Sequence, residues 1–182
     1  MKSAILAILI LTAVGAFMTS CNRKTANAEA TTTAPKANPD APATNRPADE
    51  APAKDAYQVA GYQKTACFGK CPVYQVKFFS DGKVTWYGQM NVERLGWYTA
   101  RADQQLLTEI KNKAHEAKFW DFSNNYPTEI RVVDLPSTVT YIRVGDMEKT
   151  IMDTYQAPAE LVAFEDYLEG IIAKLTWQPS KQ

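Results

Sequence analysis

Hydrophobic and polar positions divide the chain into three parts. Residues 4–17 form an apolar region with no charge, residues 22–55 offer almost nothing to bury, and from Ala56 onward apolar residues fall into short alternating runs and two longer stripes. Alternation with period two marks half-buried strands, whereas apolar residues three and four apart mark amphipathic helices. Residues 57–65 read as a first strand. Residues 72–80 read as a second, with Tyr74, Val76 and Phe78 on one face, and 83–88 as a third, with Val84 and Trp86 on one face. The turn between the last two follows from the same pattern. A two-residue Asp81-Gly82 turn would put Phe78 on the face opposite Val84 and Trp86. A three-residue Ser80-Asp81-Gly82 loop, with Gly82 left-handed in a G1 bulge, pairs Phe78 with Val84 and Val76 with Trp86. Only the second gathers all five apolar side chains on one side and leaves Gln75, Lys77, Lys83 and Thr85 on the other.

The later elements follow in the same way. Residues 95–100 predict a fourth strand. Asp103 is suited to cap a helix from Gln104 to about Lys118, whose apolar stripe is Leu106, Leu107, Ile110, Ala114 and Ala117. Phe119, Trp120 and Phe122 read as core. A long polar loop, 123–137, is broken by Pro127 and Pro136. Residues 138–144 alternate as a strand, Gly145-Asp146 turns the chain, and 148–153 returns. Pro158 fits the first turn of a last helix with the stripe Leu161, Phe164, Leu168, Ile171, Ile172 and Leu175. The order ββββαββα implies an α+β fold. It is a single two-layer sandwich in which a mainly antiparallel sheet carries both helices on one face.

The first 55 residues carry a different message. A basic start, an apolar stretch too short to span a bilayer, and the small residues of Met18-Thr19-Ser20 before Cys21 have the shape of a secretory signal over residues 1–20. Met-Thr-Ser-Cys resembles the lipobox of bacterial lipoproteins. That resemblance implies cleavage before Cys21 and acylation of Cys21, with more than one acyl chain for stable anchoring. Residues 21–55 then form a linker of Ala, Thr, Pro, Asn and charged residues, which cannot offset its ordering entropy. Extended at about 3.1 Å per residue, it would reach on the order of 100 Å. The globular domain is 56–182. It holds all four Trp, all nine Tyr and six of the seven Phe, enough for one core.

Charge narrows the partners. Lys2 leaves with the signal, so 19 basic residues face 20 acidic ones. No basic face is implied, which argues against nucleic acid. Lipidation of Cys21 leaves Cys67 and Cys71, and the exported compartment is oxidising. One reading is a local disulfide that pins the corner between two strands, worth about 2 kcal/mol. The other is redox or copper chemistry, because Cys-x3-Cys-Pro resembles the metal motif of copper-chaperone lipoproteins. That family's cysteines open a helix, whereas a hairpin follows here, and its third ligand would have to be His115, placed on the first helix among lysines. With one histidine, a Ser-His-Asp triad has no evident partners. A Gly-rich phosphate loop and paired zinc ligands are missing from the sequence, and carboxylates such as Glu165-Asp166 read as solvent-facing. No cofactor and no metal ligand set is expected.

Cys-Phe-Gly-Lys-Cys-Pro-Val-Tyr at 67–74, the Asp-Gly hairpin and Asp134-Leu135-Pro136-Ser137 before a strand resemble an uncharacterised family of bacterial secreted and lipoprotein domains. Members carry Cys-Phe-Gly-x-Cys-Pro-x-Tyr and an Asp-Leu-Pro segment, and the likeness covers most of 57–177. It implies no activity. The expectation is therefore an envelope lipoprotein, at the outer membrane facing the periplasm, whose domain is a binding or structural module for an envelope protein or glycan. The alternatives are a periplasmic thiol-redox or copper protein using Cys67 and Cys71, or a small hydrolase. Candidate binding residues are Phe68 and Lys70 at the cysteine-held tip, and Tyr126, Arg131 and Asp134 in the long loop. In the opposing reading, Asp134-Leu135-Pro136 only sets the approach to the next strand and Leu135 is buried.

Overall fold

The computed structural model describes residues 51–130 and 132–180. The expected signal, Cys21 and the expected linker up to residue 50 lie outside them. Four strands follow one another: β1 (Gln58–Lys64), β2 (Val73–Phe79), β3 (Lys83–Met90) and β4 (Gly96–Arg101). Then come helix α1 (Gln104–Glu116) and a 3-10 turn (Phe119–Asp121), strands β5 (Asn125–Tyr126), β6 (Thr138–Val144) and β7 (Met147–Asp153), helix α2 (Ala159–Lys174) and strand β8 (Gln178–Pro179). The strands form a single sheet in the order β5-β7-β6-β1-β2-β3-β4-β8. All pairs are antiparallel except β5 with β7. The expected α+β architecture is present, with two additions. β5 rises inside the loop expected over 123–137, and β8 closes the far edge. Each has two residues, too few for alternation to register.

The β2–β3 hairpin has the register that the apolar pattern demands, with Phe78 opposite Val84 and Val76 opposite Trp86. Gly82 has φ +82°, and the Asp81 carboxylate accepts the Lys83 N–H at 2.9 Å. Helix α1 begins where Asp103 accepts the N–H of Leu106 at 2.7 Å, satisfying one of the donors that a helix start leaves unpaired. Its buried residues, Leu107, Ile110 and Ala114, are the centre of the predicted stripe.

Both helices pack on the face that carries Tyr62, Val76, Phe78, Val84, Trp86, Ile142 and Ile151, closing the core with Phe119, Leu161, Phe164 and Leu168. Tyr74 stacks on Trp86 at 4.4 Å, and Trp177 tilts against Trp86 at 5.6 Å. Lys149 reaches across to donate to the carbonyls of Trp120 and Phe122, which fixes the chain leaving α1. One sequence expectation is overturned here. Glu165 does not face solvent. It lies on the sheet side of α2 and is only 4% exposed. Its place in chain order, one position after Phe164 and three before Leu168, puts it inside the apolar stripe.

Candidate functional site

The topology gathers chemistry at one end of the sheet. Strands β1, β3, β5 and β7 run toward that end, and β2, β4 and β6 start from it. Four connections therefore meet there: 65–72, 91–95, 127–137 and 154–158. Cys67 and Cys71 form a disulfide with Cα atoms 5.8 Å apart. Inside that loop the Gly69 N–H donates to the Cys67 carbonyl at 2.9 Å, and Phe68 stands out 95% exposed.

The connections are stitched to one another. The Phe68 N–H donates to the Asp134 carbonyl at 3.3 Å. The Thr65 N–H donates to the Ser137 carbonyl at 2.9 Å, and the Ser137 N–H returns to the Thr65 hydroxyl at 2.7 Å. The hydroxyls of Ser137 and Thr154 lie 2.6 Å apart. The side-chain amide of Asn91 donates to the Cys71 carbonyl at 2.9 Å, and the indole N–H of Trp86 to the Arg94 carbonyl at 2.9 Å. Loops held this way present side chains from a fixed frame.

What they present is apolar. Of the ten large hydrophobic residues exposed among the described residues, seven belong to this end. Phe68 comes from the disulfide loop. Met90 and Leu95 flank the β3–β4 connection. Ile130 (70% exposed), Val133 (67%) and Leu135 (45%) come from the long loop, and Tyr155 from the approach to α2. Single exposed hydrophobics are ordinary, whereas clusters of them on neighbouring loops are a feature that interaction surfaces share. Leu135 is not buried, as the purely structural reading of Asp134-Leu135-Pro136 required.

Phe68, Lys70 and Asp134, three of the residues singled out from sequence, come together at this end, with Phe68 and Asp134 joined through their backbones. Lys70 and Asp134 are exposed, and Asp134 has φ +68°. Tyr126 does not join them. It is half-buried against the core, its hydroxyl accepts the Ser123 N–H at 3.0 Å, and a cis bond links it to Pro127. Arg131 lies outside the described residues. Sequence reasoning missed Ile130, Val133, Leu95 and Tyr155. Ile130, Val133 and Tyr155 left a signal, as apolar residues in otherwise polar connections, whereas Leu95 is the first residue of the strand expected over 95–100.

Beneath the loops, on the helix side, lies a polar cluster. Glu169 accepts from the hydroxyls of Tyr62 at 2.9 Å and Tyr74 at 3.3 Å, with the Lys64 ammonium 3.6 Å away. Lys64 also donates to the Thr138 hydroxyl at 3.0 Å, and Thr140 donates to Glu165 at 3.0 Å. Burial pushes the Glu165 carboxyl up to about 8. The Thr140 hydrogen bond and Lys64 oppose this rise, and nearby Asp153 adds to it. Burial likewise raises the Tyr62 and Tyr74 hydroxyls. At neutral pH Glu165 is mostly a neutral carboxylic acid, a buried polar contact and not a free base.

Among the described residues, no group of three or more His, Cys, Asp and Glu side chains is placed to hold a metal ion. The His115 ring lies against Trp120 at 4.8 Å. No helix among the described residues is long and apolar enough to cross a membrane.

The profile of a family described as Domain of unknown function (DUF6438) matches residues 58–172. That span runs from β1 to the last turns of α2 and includes the disulfide loop and the long loop. No curated protein matches the chain.

Proposed function

We propose that this chain, which belongs to the DUF6438 family, is a lipid-anchored envelope protein whose domain is a binding module working through its loop end. The observation that carries the reading is the concentration of exposed hydrophobic side chains on the stitched loops, with Phe68 held out at their tip by the disulfide. Burying such side chains in a partner contributes about 25 cal/mol per Å² of apolar area removed from water. A disulfide and cross-loop hydrogen bonds reduce the ordering cost of binding. The tips are mainly aliphatic, with a single fully projecting ring. They fit an apolar depression on another envelope protein better than a glycan, which stacks on flat aromatic platforms.

The anchor is the other half of the reading. It rests on the lipobox-like Met18-Thr19-Ser20-Cys21 and on the proline-rich segment that follows. In the described part, the chain arriving from that segment meets the β2–β3 turn. The Ala53 N–H donates to the Asp81 carboxylate at 2.9 Å and Lys83 to the Ala51 carbonyl at 3.0 Å. That turn is at the end of the sheet opposite the disulfide loop.

Two outcomes are expected. Cys21→Ala abolishes metabolic labelling by a palmitate analogue; labelling that persists in the variant rules out the anchor. A photo-crosslinking side chain at position 68 gives one discrete adduct in cells, lost when Ile130 and Val133 are both changed to Ser. The same side chain at Val162, an exposed hydrophobic position on α2, gives none. Adducts at 162 alone would move the binding surface to the helices.

A further inference from the structure

We infer that a cleft at the other end of the sheet is a binding site for a phosphate-bearing ligand. The cleft encloses about 570 Å³ and opens to solvent on one side. Lys83, Thr99 and Arg101 line it from β3 and β4. Lys174, Thr176 and Gln178 line it from the last turn of α2 and the chain that follows. The lining holds three cations, two hydroxyls and a side-chain amide, and no carboxylate.

The arrangement of charge is unusual for a sheet surface. Lys83 and Arg101 are direct cross-strand partners. Like charges in that relation destabilise a sheet, and α2 brings a third cation to the same place. Each of the two also reaches a neutral oxygen. Lys83 donates to the Ala51 carbonyl at 3.0 Å, and an Arg101 guanidinium nitrogen to the Asp81 carbonyl at 3.2 Å. The nearby Asp81 carboxylate accepts the N–H groups of Ala53 and Lys83, each at 2.9 Å, and its charge also attracts Arg101, which offsets part of the repulsion. An anion in the cleft would add to that offset.

The backbone adds a donor. β8 pairs only with Tyr98 and Thr99, so the ladder stops before Arg101. The Trp97 carbonyl points to this edge, where it accepts the Ser180 N–H at 3.0 Å. Strand alternation turns the Arg101 amide to the same edge, into the notch. A guanidinium fork, two ammonium groups and a backbone N–H lining one cleft suit the several oxygens of a phosphate monoester better than a single carboxylate. The cleft is larger than a phosphate group. Thr99, Thr176 and Gln178 then face the polar remainder of the ligand, whether a small sugar phosphate or a lipid headgroup.

Calorimetric titration of the full chain at low ionic strength tests this. One arm uses glucose 6-phosphate, and the other uses dispersed dihexanoyl phosphatidic acid. Binding in the first arm identifies a soluble phosphate ester, and binding in the second alone identifies a headgroup. In either case Arg101→Gln is expected to weaken binding at least about tenfold and Lys174→Gln several-fold, while the melting temperature stays at the parent value. Lys111→Gln, which removes an equal charge from α1, is expected to leave binding unchanged. The inference is overturned if neither compound binds, or if Lys111→Gln weakens binding as much as Arg101→Gln.

Discussion

Glu165→Gln is expected to make the domain more stable in mild alkali and to flatten its dependence on pH. The Glu165 carboxyl titrates near 8 in the folded protein because burial disfavours its charged form, against an ordinary value of 4.5. Between those two pH values the folded state holds a proton that the unfolded chain has released. Stability therefore falls as pH rises from about 4.5 to 8 and levels off above. Each tenfold change in the acid's ionisation constant is worth about 1.4 kcal/mol, so the loss across the window is on the order of a few kcal/mol. Glutamine has the shape of the neutral acid and can accept the Thr140 hydrogen bond without titrating. At pH 9 the variant should melt higher by roughly 5–10 °C, taking a few degrees per kcal/mol for a domain of this size. At pH 4.5 the two proteins should melt together, or the variant slightly lower. A variant that keeps the parent's slope between pH 5 and 8 would show that another group controls it. Asp153, whose carboxyl burial also raises, is the first to examine.

Gly88→Ala should cost the domain about 3 kcal/mol or more, the scale of overpacking against a part that cannot yield. A Cβ at Gly88 would lie 1.8 Å from the Arg94 carbonyl oxygen and 2.8 Å from the Trp86 indole nitrogen. The first is backbone. The same two atoms form the Trp86–Arg94 hydrogen bond that ties the β3–β4 connection to the core. The substitution therefore has to displace a buried tryptophan or open the connection that carries Leu95. Gly96, its cross-strand partner, supplies the comparison. It has φ +84°, but a Cβ there would meet nothing within 4 Å. Gly96→Ala should cost only the left-handed backbone penalty, about 1–2 kcal/mol. Denaturant titration of both variants checks the ranking, and equal losses would put the Gly88 effect down to backbone conformation instead of contact.

Much of the scaffold was legible in advance. The β2–β3 register followed from where Phe78, Val84 and Trp86 had to point, and the start of α1 from Asp103 three positions before Leu106. In both cases the decisive interaction is between residues close in sequence. The proposed binding surface was legible only in part. Phe68 and Lys70 could be chosen because two cysteines pinch them, and Asp134 because it precedes a proline-marked strand start. Nothing local says that Asp134 hydrogen-bonds to Phe68. Tyr126 looked like a loop aromatic, but a parallel pairing with β7 turns it toward the core.

The amino-acid sequence by itself determined which residues become strands and helices, which face of each is apolar, and that the shared apolar face makes one layered domain. Those properties depend on side-chain periodicity and on caps and turns within a few residues, where backbone geometry leaves few choices. The tertiary structure alone decided the order of strands, with β1 central between β2 and β6. That order sets which loops become neighbours, and with them the apolar end that spans Phe68 to Tyr155. It also decided that Glu165 meets Thr140 across the interior and that Lys83, Arg101 and Lys174 line one cleft. Such contacts join residues far apart in the chain. Their geometry is set by how whole layers pack, and local periodicity carries no record of it.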